Sequence, residues 1–270
     1  MGSNMAENHP IGMKWLMKGR FDPKRQTKII HVDPRFTRTS AVADLYCPIR
    51  SGTDIAFLGG MINYILENDL YHKEYLVNYT NASFLIKDEF SFEDGLFSGY
   101  DASKRAYDFG TWDYQYGPDG KILTDETLQH PRCVFQLLKK HFSRYDIDTV
   151  CKITGAPKNK YMQVLELFCS TGAPDKTGTI CYAMGITQHT VGSQNVKAFA
   201  IIQLLLGNIG RPGGGINALR GENNVQGATD MALLFHIIPG YIDSPTNTED
   251  NKDLISFIRK ITPGAAKLPF

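Results

Sequence analysis

The sequence TICYAMGITQHT, which occupies Thr179–Thr190, sets the fold of this chain. Its first half is an apolar run rich in β-branched and aromatic residues, which predicts a strand, and the chain then turns at Gly185 into a polar loop. A strongly apolar segment follows at Asn195–Leu206, and its composition predicts a buried helix. A strand that leads through a polar loop into a buried helix is the repeating unit of α/β folds.

The same unit occurs earlier in the chain. Thr27–Asp33 is a strand pattern stopped by Pro34, and Leu45–Ile49 is a second strand pattern, followed by a helix that begins near Asp54. We therefore predict an α/β fold over residues 1–219, a parallel sheet with helices on both faces and with binding loops at the carboxyl edge of the sheet. Residues 220–270 are expected to begin a further domain that is incomplete within this sequence.

Residues 80–129 interrupt this alternation. They are aromatic and charged, and they contain a Gly-Pro-Asp-Gly turn at Gly117–Gly120, which is typical of a hairpin. This stretch is expected to be an insertion rather than a catalytic segment.

Composition excludes several classes of function. The 270 residues carry a net charge of +1, which does not favour nucleic acid or an anionic membrane as a partner. No apolar run reaches the roughly 18 residues that a membrane span needs, and no signal peptide is visible. The five cysteines form no C-x-x-C pair, so a zinc or iron–sulfur site built by these residues alone is not expected. We predict that the cysteines are small buried hydrophobic residues.

A second informative stretch is RPGGGINALRGENNVQG at Arg211–Gly227. Glycines allow the backbone to approach a ligand closely, amide side chains donate and accept hydrogen bonds, and Arg220 can bind a carboxylate or phosphate through two parallel bonds. Together they suit a large phosphorylated cofactor beside a small anionic substrate. The alternative is a tight surface loop.

Two further polar groups occupy the same kind of position. Gly2-Ser3-Asn4 has the composition of a phosphate-binding turn, which normally follows a buried strand, so a strand is expected upstream of Met1. Asp33 ends a strand, where an acidic residue commonly binds a ribose hydroxyl, although it could equally cap a turn. His189 is interpreted as a hydrogen-bonded structural residue more readily than as a catalyst.

Five stretches in order resemble the catalytic subunit of the molybdopterin oxidoreductases, specifically formate dehydrogenases of the respiratory, selenocysteine type. They are GSNMAENHP at Gly2–Pro10, VDPRFTRTSAVAD at Val32–Asp44, RSGTDIAFLGG at Arg50–Gly60, YAMGITQHTVGSQN at Tyr182–Asn195, and LLGNIGRPGGGINALRGENNVQG at Leu205–Gly227. The resemblance covers essentially the whole sequence, insertion included.

The resemblance implies a Rossmann-like dinucleotide-binding domain of the formate dehydrogenase and DMSO reductase type, with two molybdopterin guanine dinucleotides that hold molybdenum or tungsten. Arg220 matches the arginine that binds the substrate, formate, and no metal ligand is assigned within these residues. On matching positions, one nucleotide site would be lined by Gly2, Ser3, Asn4, Asp33, Arg35, Gly52 and Asp54. The other side of the cofactor would be lined by Gly185, Thr187, Gln188, Asn217 and Asn223.

In this family the metal-ligating selenocysteine or cysteine and the cysteine cluster that binds a 4Fe–4S centre precede the residues that match Met1. The resemblance therefore implies an N-terminally truncated piece that is inactive alone. It also implies an iron–sulfur electron-transfer subunit as a partner, a cytochrome subunit as a further candidate partner, and a periplasmic location. Two alternatives remain open: another molybdopterin oxidoreductase such as a nitrate reductase, and a non-catalytic nucleotide-binding fragment.

Overall fold

A computed structural model describes residues 1–93, 95–221, 225–231, 237–238, 242–243 and 253–261. The chain divides into two compact units, Met1–Leu219 and Arg220–Phe270. None of the described helices is both long enough and apolar enough to cross a membrane.

The first unit opens with two helices and a parallel pair of strands. The pair aligns Ile30 with Leu45 and Val32 with Cys47, and the Asp44 carboxylate accepts a hydrogen bond from the backbone N–H of Ile29. The elements in chain order are α1 (Met5–Asn8), α2 (Pro10–Phe21), β1 (Ile30–Val32), α3 (Arg38–Val42) and β2 (Leu45–Cys47).

Helix α4 (Asp54–Glu67) lies at the centre of the unit. Its apolar residues repeat at helical spacing, and Phe57, Ile62 and Leu66 are all fully buried. Burial of each such side chain contributes about 1.5–3 kcal/mol to folding. The helices that pack around α4 are α6 (Val134–Phe142), α7 (Ile147–Thr154), α8 (Lys158–Cys169) and α10 (Gly192–Leu205).

The predicted insertion follows α5 (Lys73–Tyr79). Its tip at Gly117–Gly120 is a hairpin turn, flanked by an antiparallel bridge between Tyr116 and Ile122. Before that tip lie two short antiparallel hairpins and a 3-10 turn at Phe109–Thr111. The strands of these hairpins are β3 (Phe92–Glu93), β4 (Leu96–Phe97), β5 (Tyr100–Asp101) and β6 (Ala106–Tyr107).

A second parallel pair joins β7 (Thr179–Tyr182) to β8 (Gly215–Ala218), after a 3-10 turn at Ser170–Gly172. Between these strands the chain forms the short helix α9 (Met184–Thr187) and then α10. The predicted strand–loop–helix order is confirmed, with a single helical turn where the sequence indicated only a polar loop.

The predicted sheet is seen only in part. Among the described residues the parallel strands form two separate pairs, β1–β2 and β7–β8, and one large sheet with helices on both faces is not evident. The first three residues contact both pairs. The Met1 amine donates to the Cys181 carbonyl (2.9 Å), and the Ser3 carbonyl lies 3.3 Å from His31 Nε2. A polar turn thus connects the carboxyl ends of the two pairs in place of a ladder of strand hydrogen bonds.

The second unit contains, in its described part, two helices and one antiparallel pair of short strands. These elements are α11 (Val225–Asp230), β9 (Ile237–Ile238), β10 (Ile242–Asp243) and α12 (Leu254–Ile261).

Candidate functional site

Two glycine turns meet at the carboxyl ends of the parallel pairs. Gly2 has a φ of +61°, and a Cβ atom there would lie 2.7 Å from the carbonyl carbon of Gly185. A Cβ atom on Gly185 would lie 2.8 Å from the Gly2 Cα, and the Gly185 N–H donates to the Gly2 carbonyl (3.1 Å). The two backbones therefore touch at a distance that only glycine permits. We call the space bordered by Gly2–Asn4, Asp54 and Gly185–His189 the glycine cleft.

Ser3 and Asn4 are held from the side of β1 and α3. The Thr39 hydroxyl donates to Asn4 Oδ1 (3.0 Å). The imidazole of His31 lies between Ser40, with Nδ1 2.8 Å from Oγ, and the carbonyl of Ser3. His31 is almost fully buried, and burial lowers its pKa, so the ring is neutral at pH 7. His31 is a supporting residue that the sequence did not single out, although a histidine inside an apolar strand is a recognisable signal.

Asp33 and Arg35 lie just beyond β1. Asp33 Oδ1 accepts from the backbone N–H of Arg35 (2.9 Å), and Oδ2 is 3.8 Å from His31 Nε2. The first contact is a turn stabilised by the aspartate side chain, which is the capping role that the sequence left open. Asp33 also lies beside the turn at Ser3, through His31, so both roles remain compatible with its position.

Gly52 and Asp54 form the entry to α4. Gly52 has a φ of +80°, which favours glycine, and Asp54 is the first residue of the helix, where its charge suits the helix dipole. Asp54 is 4% exposed, and burial raises its pKa. Its Oδ2 lies 3.0 Å from Nδ1 of His189, the distance of an ion pair, although the two groups are not aligned as a hydrogen bond.

The loop after β7 presents its polar side chains to solvent. Thr187 and Gln188 are exposed, and Gln188 Nε2 is 3.5 Å from the sulfur of Met184. From behind, the buried Asn195 of α10 donates to the Ile186 carbonyl (3.1 Å). The loop is thus fixed at its base while the predicted cofactor contacts stay accessible.

The remaining predicted residues are Asn217, Arg220 and Asn223. Asn217 lies on β8 opposite Cys181, and its Nδ2 donates to the Thr179 hydroxyl (2.6 Å). Arg220 is the first residue of the second unit. Asn223 lies outside the described residues. The structure therefore gathers Gly2, Ser3, Asn4, Asp33, Asp54 and Gly185 around one cleft, and the roles of all the predicted residues stay predictions.

Several buried polar atoms around the glycine cleft lack a hydrogen-bond partner within the described part of the chain. They are Ser3 Oγ, Asp54 Oδ2, His189 Nδ1 and Asn195 Oδ1. A buried polar atom without a partner is costly, so this arrangement fits a ligand with many hydrogen-bonding groups. Within the described residues, no three histidine, cysteine or carboxylate side chains cluster closely enough to hold a metal ion.

Comparisons with known proteins agree on one family. The family model described as "Molybdopterin oxidoreductase" matches residues 1–268. Formate dehydrogenase subunit alpha of Megalodesulfovibrio gigas is 55% identical over 268 residues, which is 97% of this chain and 26% of that protein. The nitrate-inducible formate dehydrogenase major subunit of Escherichia coli is 54% identical over 98% of this chain and 26% of its own length.

A third relative is formate dehydrogenase 2 subunit alpha (cytochrome c-553) of Nitratidesulfovibrio vulgaris. It is 56% identical over 91% of this chain and 24% of its own length. The chain therefore spans about a quarter of the length of the curated relatives it matches.

Proposed function

This chain belongs to the molybdopterin oxidoreductase family, and we propose that it is part of a formate dehydrogenase catalytic subunit that binds its cofactor at the glycine cleft. The observation that carries the proposal is the direct backbone contact of the Gly2 and Gly185 turns beside the buried carboxylate of Asp54. Two glycine turns and a helix N-terminus at one edge are the features with which α/β proteins hold nucleotides.

The residues of the cleft fit a molybdopterin guanine dinucleotide. The buried polar atoms at Ser3 and Asn195 match a ligand with many donors and acceptors, and the glycines let its phosphates approach the backbone. The first nucleotide would be held by Gly2, Ser3, Asn4, Asp33, Arg35, Gly52 and Asp54. The opposite side would be held by Gly185, Thr187, Gln188, Asn217 and Asn223.

We also propose that β1–β2 and β7–β8 are two parts of one Rossmann-like sheet. Their carboxyl ends are linked by the Met1–Ser3 segment, which contacts Cys181 on one side and His31 on the other. A strand placed between β1 and β7 would pair their inner edges and leave the glycine cleft at the carboxyl end of the sheet, where ligands bind in such folds.

Arg220 is the proposed substrate residue. It follows Leu219 directly, and the Leu219 N–H donates to the Tyr182 carbonyl (2.7 Å) at the carboxyl end of β7. A guanidinium binds the carboxylate of formate through two charge-assisted hydrogen bonds, which neutralises the anion and fixes its orientation. When bound, the molybdenum or tungsten pterin group supplies the two-electron redox chemistry that converts formate to carbon dioxide.

The proposal extends to the rest of the enzyme by family membership. The metal would be ligated by a selenocysteine or cysteine outside these residues, and electrons would pass to a 4Fe–4S cluster and then to an iron–sulfur subunit. A cytochrome is the further proposed acceptor, in keeping with the cytochrome c-553 in the name of one relative. The proposed location is the periplasm.

The test is Arg220→Lys in the complete catalytic subunit that contains this sequence. Lysine keeps the charge but loses the two-bond geometry, so kcat/KM for formate should fall by roughly one to two decades, while metal and guanine nucleotide contents stay unchanged. Arg220→Ala should cost more. Arg25→Lys, at a surface ion pair with Asp22, is the matched control and should have wild-type kcat/KM.

Two results would contradict the proposed role of Arg220 or the proposed substrate. Parallel loss of activity, metal and nucleotide in Arg220→Lys would assign Arg220 to the cofactor instead of to formate. A wild-type subunit that contains guanine nucleotide but does not oxidise formate would refute the substrate assignment.

A further inference from the structure

The loop after β7 is fixed at both ends, and the proposed cofactor contacts lie between the fixed points. At its start, Gly185 touches Gly2, and the Ile186 carbonyl accepts from the Asn195 side chain. At its end, His189 lies against Asp54 of α4. The two residues between, Thr187 and Gln188, expose their side chains.

The contact at the far end joins two parts of the chain that are distant in sequence. Asp54 begins α4, and His189 ends the loop. Their contact therefore joins the start of the helix to the end of the loop. The side chains are 6% and 24% exposed, so the pair is shielded from solvent and its attraction is screened less than that of a surface pair.

Asp54 needs a positive partner because its carboxylate is buried. The side chains that act on it electrostatically are His189 and, with the opposite effect, Asp33. A buried carboxylate that loses its cation costs far more than one that keeps it. His189 lies against this carboxylate from the loop itself, and its Nδ1 faces Asp54 Oδ2 at 3.0 Å.

We propose that Asp54 and His189 form a clamp that closes the loop after β7 onto the cofactor, with His189 as a positioning residue. The inference rests on the proposed function, because the clamp holds Thr187 and Gln188 in place for the same guanine dinucleotide.

The experiment measures retention of the cofactor in the complete holoenzyme rather than turnover. Holoenzyme is diluted into buffer at neutral pH. Bound guanine nucleotide is then followed over time after rapid gel filtration. The variants are His189→Gln, Asp54→Asn and the double variant. His130→Gln, an exposed histidine of the insertion, is the matched control.

If Asp54 and His189 form a clamp, the rates of nucleotide release should differ among these variants in a specific way. Wild-type enzyme and His130→Gln should release nucleotide at the same rate. His189→Gln should release it about ten- to a hundredfold faster than wild type, the range expected for loss of one charge-assisted contact. Because the two residues act as one unit, His189→Gln should add nothing on the Asp54→Asn background.

Three outcomes test the clamp separately from the proposed function. Equal release from wild type and His189→Gln overturns the clamp, and so do effects of the two substitutions that multiply in the double variant. If His189→Gln purifies without cofactor, the double-variant comparison is repeated on reloading of apo-enzyme with guanine dinucleotide cofactor, with the same required non-additivity. A wild-type enzyme that contains no guanine nucleotide refutes the proposed function itself, whereas a loaded enzyme with unaffected variants refutes only the clamp.

Discussion

Replacement of Asn208 by leucine should destabilise the second parallel pair of strands. Asn208 is fully buried just beyond α10. Its Nδ2 donates to the Thr171 hydroxyl (2.9 Å) and to Gln203 Oε1 (3.0 Å), and its Oδ1 accepts from the Gly178 N–H (3.2 Å). Gln203 in turn donates to the carbonyls of Gly178 and Gly215, so this network joins the start of β7 to the start of β8.

The magnitude follows from which atoms lose their partners. In Asn208→Leu, the Gly178 N–H and Gln203 Oε1 lose their hydrogen bonds, whereas the Thr171 hydroxyl keeps its bond to the Phe168 carbonyl. Each unsatisfied group costs roughly 1–3 kcal/mol. Burial of the leucine side chain, which has a similar shape, returns about 1–2 kcal/mol. The net loss in the free energy of unfolding should be about 2–3 kcal/mol, a large part of the roughly 5–15 kcal/mol of a typical domain.

Urea unfolding followed by circular dichroism measures this loss. The midpoint should fall with little change in slope, because the surface exposed on unfolding is similar. Asn159→Leu is the matched control, since Asn159 lies exposed in the first turn of α8 and should change stability by less than about 0.5 kcal/mol. A loss in Asn208→Leu no larger than that of the control would refute the view that the network holds β8 in place.

Two further predictions concern packing and charge. A Cβ atom on Gly60 would overlap the Tyr161 hydroxyl and lie 2.7 Å from Val150 Cγ2, so Gly60→Ala should lower the free energy of unfolding by roughly 1–3 kcal/mol. The double variant with Tyr161→Phe should be less destabilised than the sum of the single variants, and strict additivity would contradict the overlap. Hydrogen bonds from the Thr127 hydroxyl and the His130 N–H, with others, lower the pKa of Asp125 from 3.8 to about 2. Its stabilising effect is thus complete above 3.8 and is lost as pH falls through about 2. The His130 amide resonance should titrate with a midpoint near 2, and a midpoint near 3.8 would contradict the prediction.

The elements that were predictable from the sequence are those whose pattern is carried by their own side chains. Helices α4 and α10 have apolar composition and were expected within a few residues of their observed bounds. Strands β1 and β7 are β-branched apolar runs and were also expected, although β1 is shorter than its pattern. Helix α7 was not predicted, although the Asp146 side chain caps it by accepting from Thr149 and the left-handed Gly155 ends it.

Strand β8 could not be predicted because its own residues do not favour a strand. Gly215-Ile216-Asn217-Ala218 has one β-branched residue among four and lies within a glycine-rich stretch. Its pairing with β7 depends on carbonyls held by Gln203, which lies on another element. The single large sheet that the sequence predicted is not evident for the same reason. Strand patterns predict which segments are extended, but the pairing of segments distant in sequence depends on contacts that no local pattern encodes.

The candidate site was predictable in composition and not in geometry. The glycines of the motif look alike in sequence, yet they are required for different reasons. Gly52 needs its backbone conformation and has no atom close to where a Cβ would stand, whereas Gly185 needs the absence of a side chain because the Gly2 backbone touches it. Substitution at Gly52 therefore strains one turn, while substitution at Gly185 separates the two halves of the cleft. The Asp54–His189 contact was equally hidden, since it brings together one residue expected at the cofactor and one expected to be structural. The sequence predicted candidate groups for the site, whose roles stay predictions, and the fold determines which of them lie in contact.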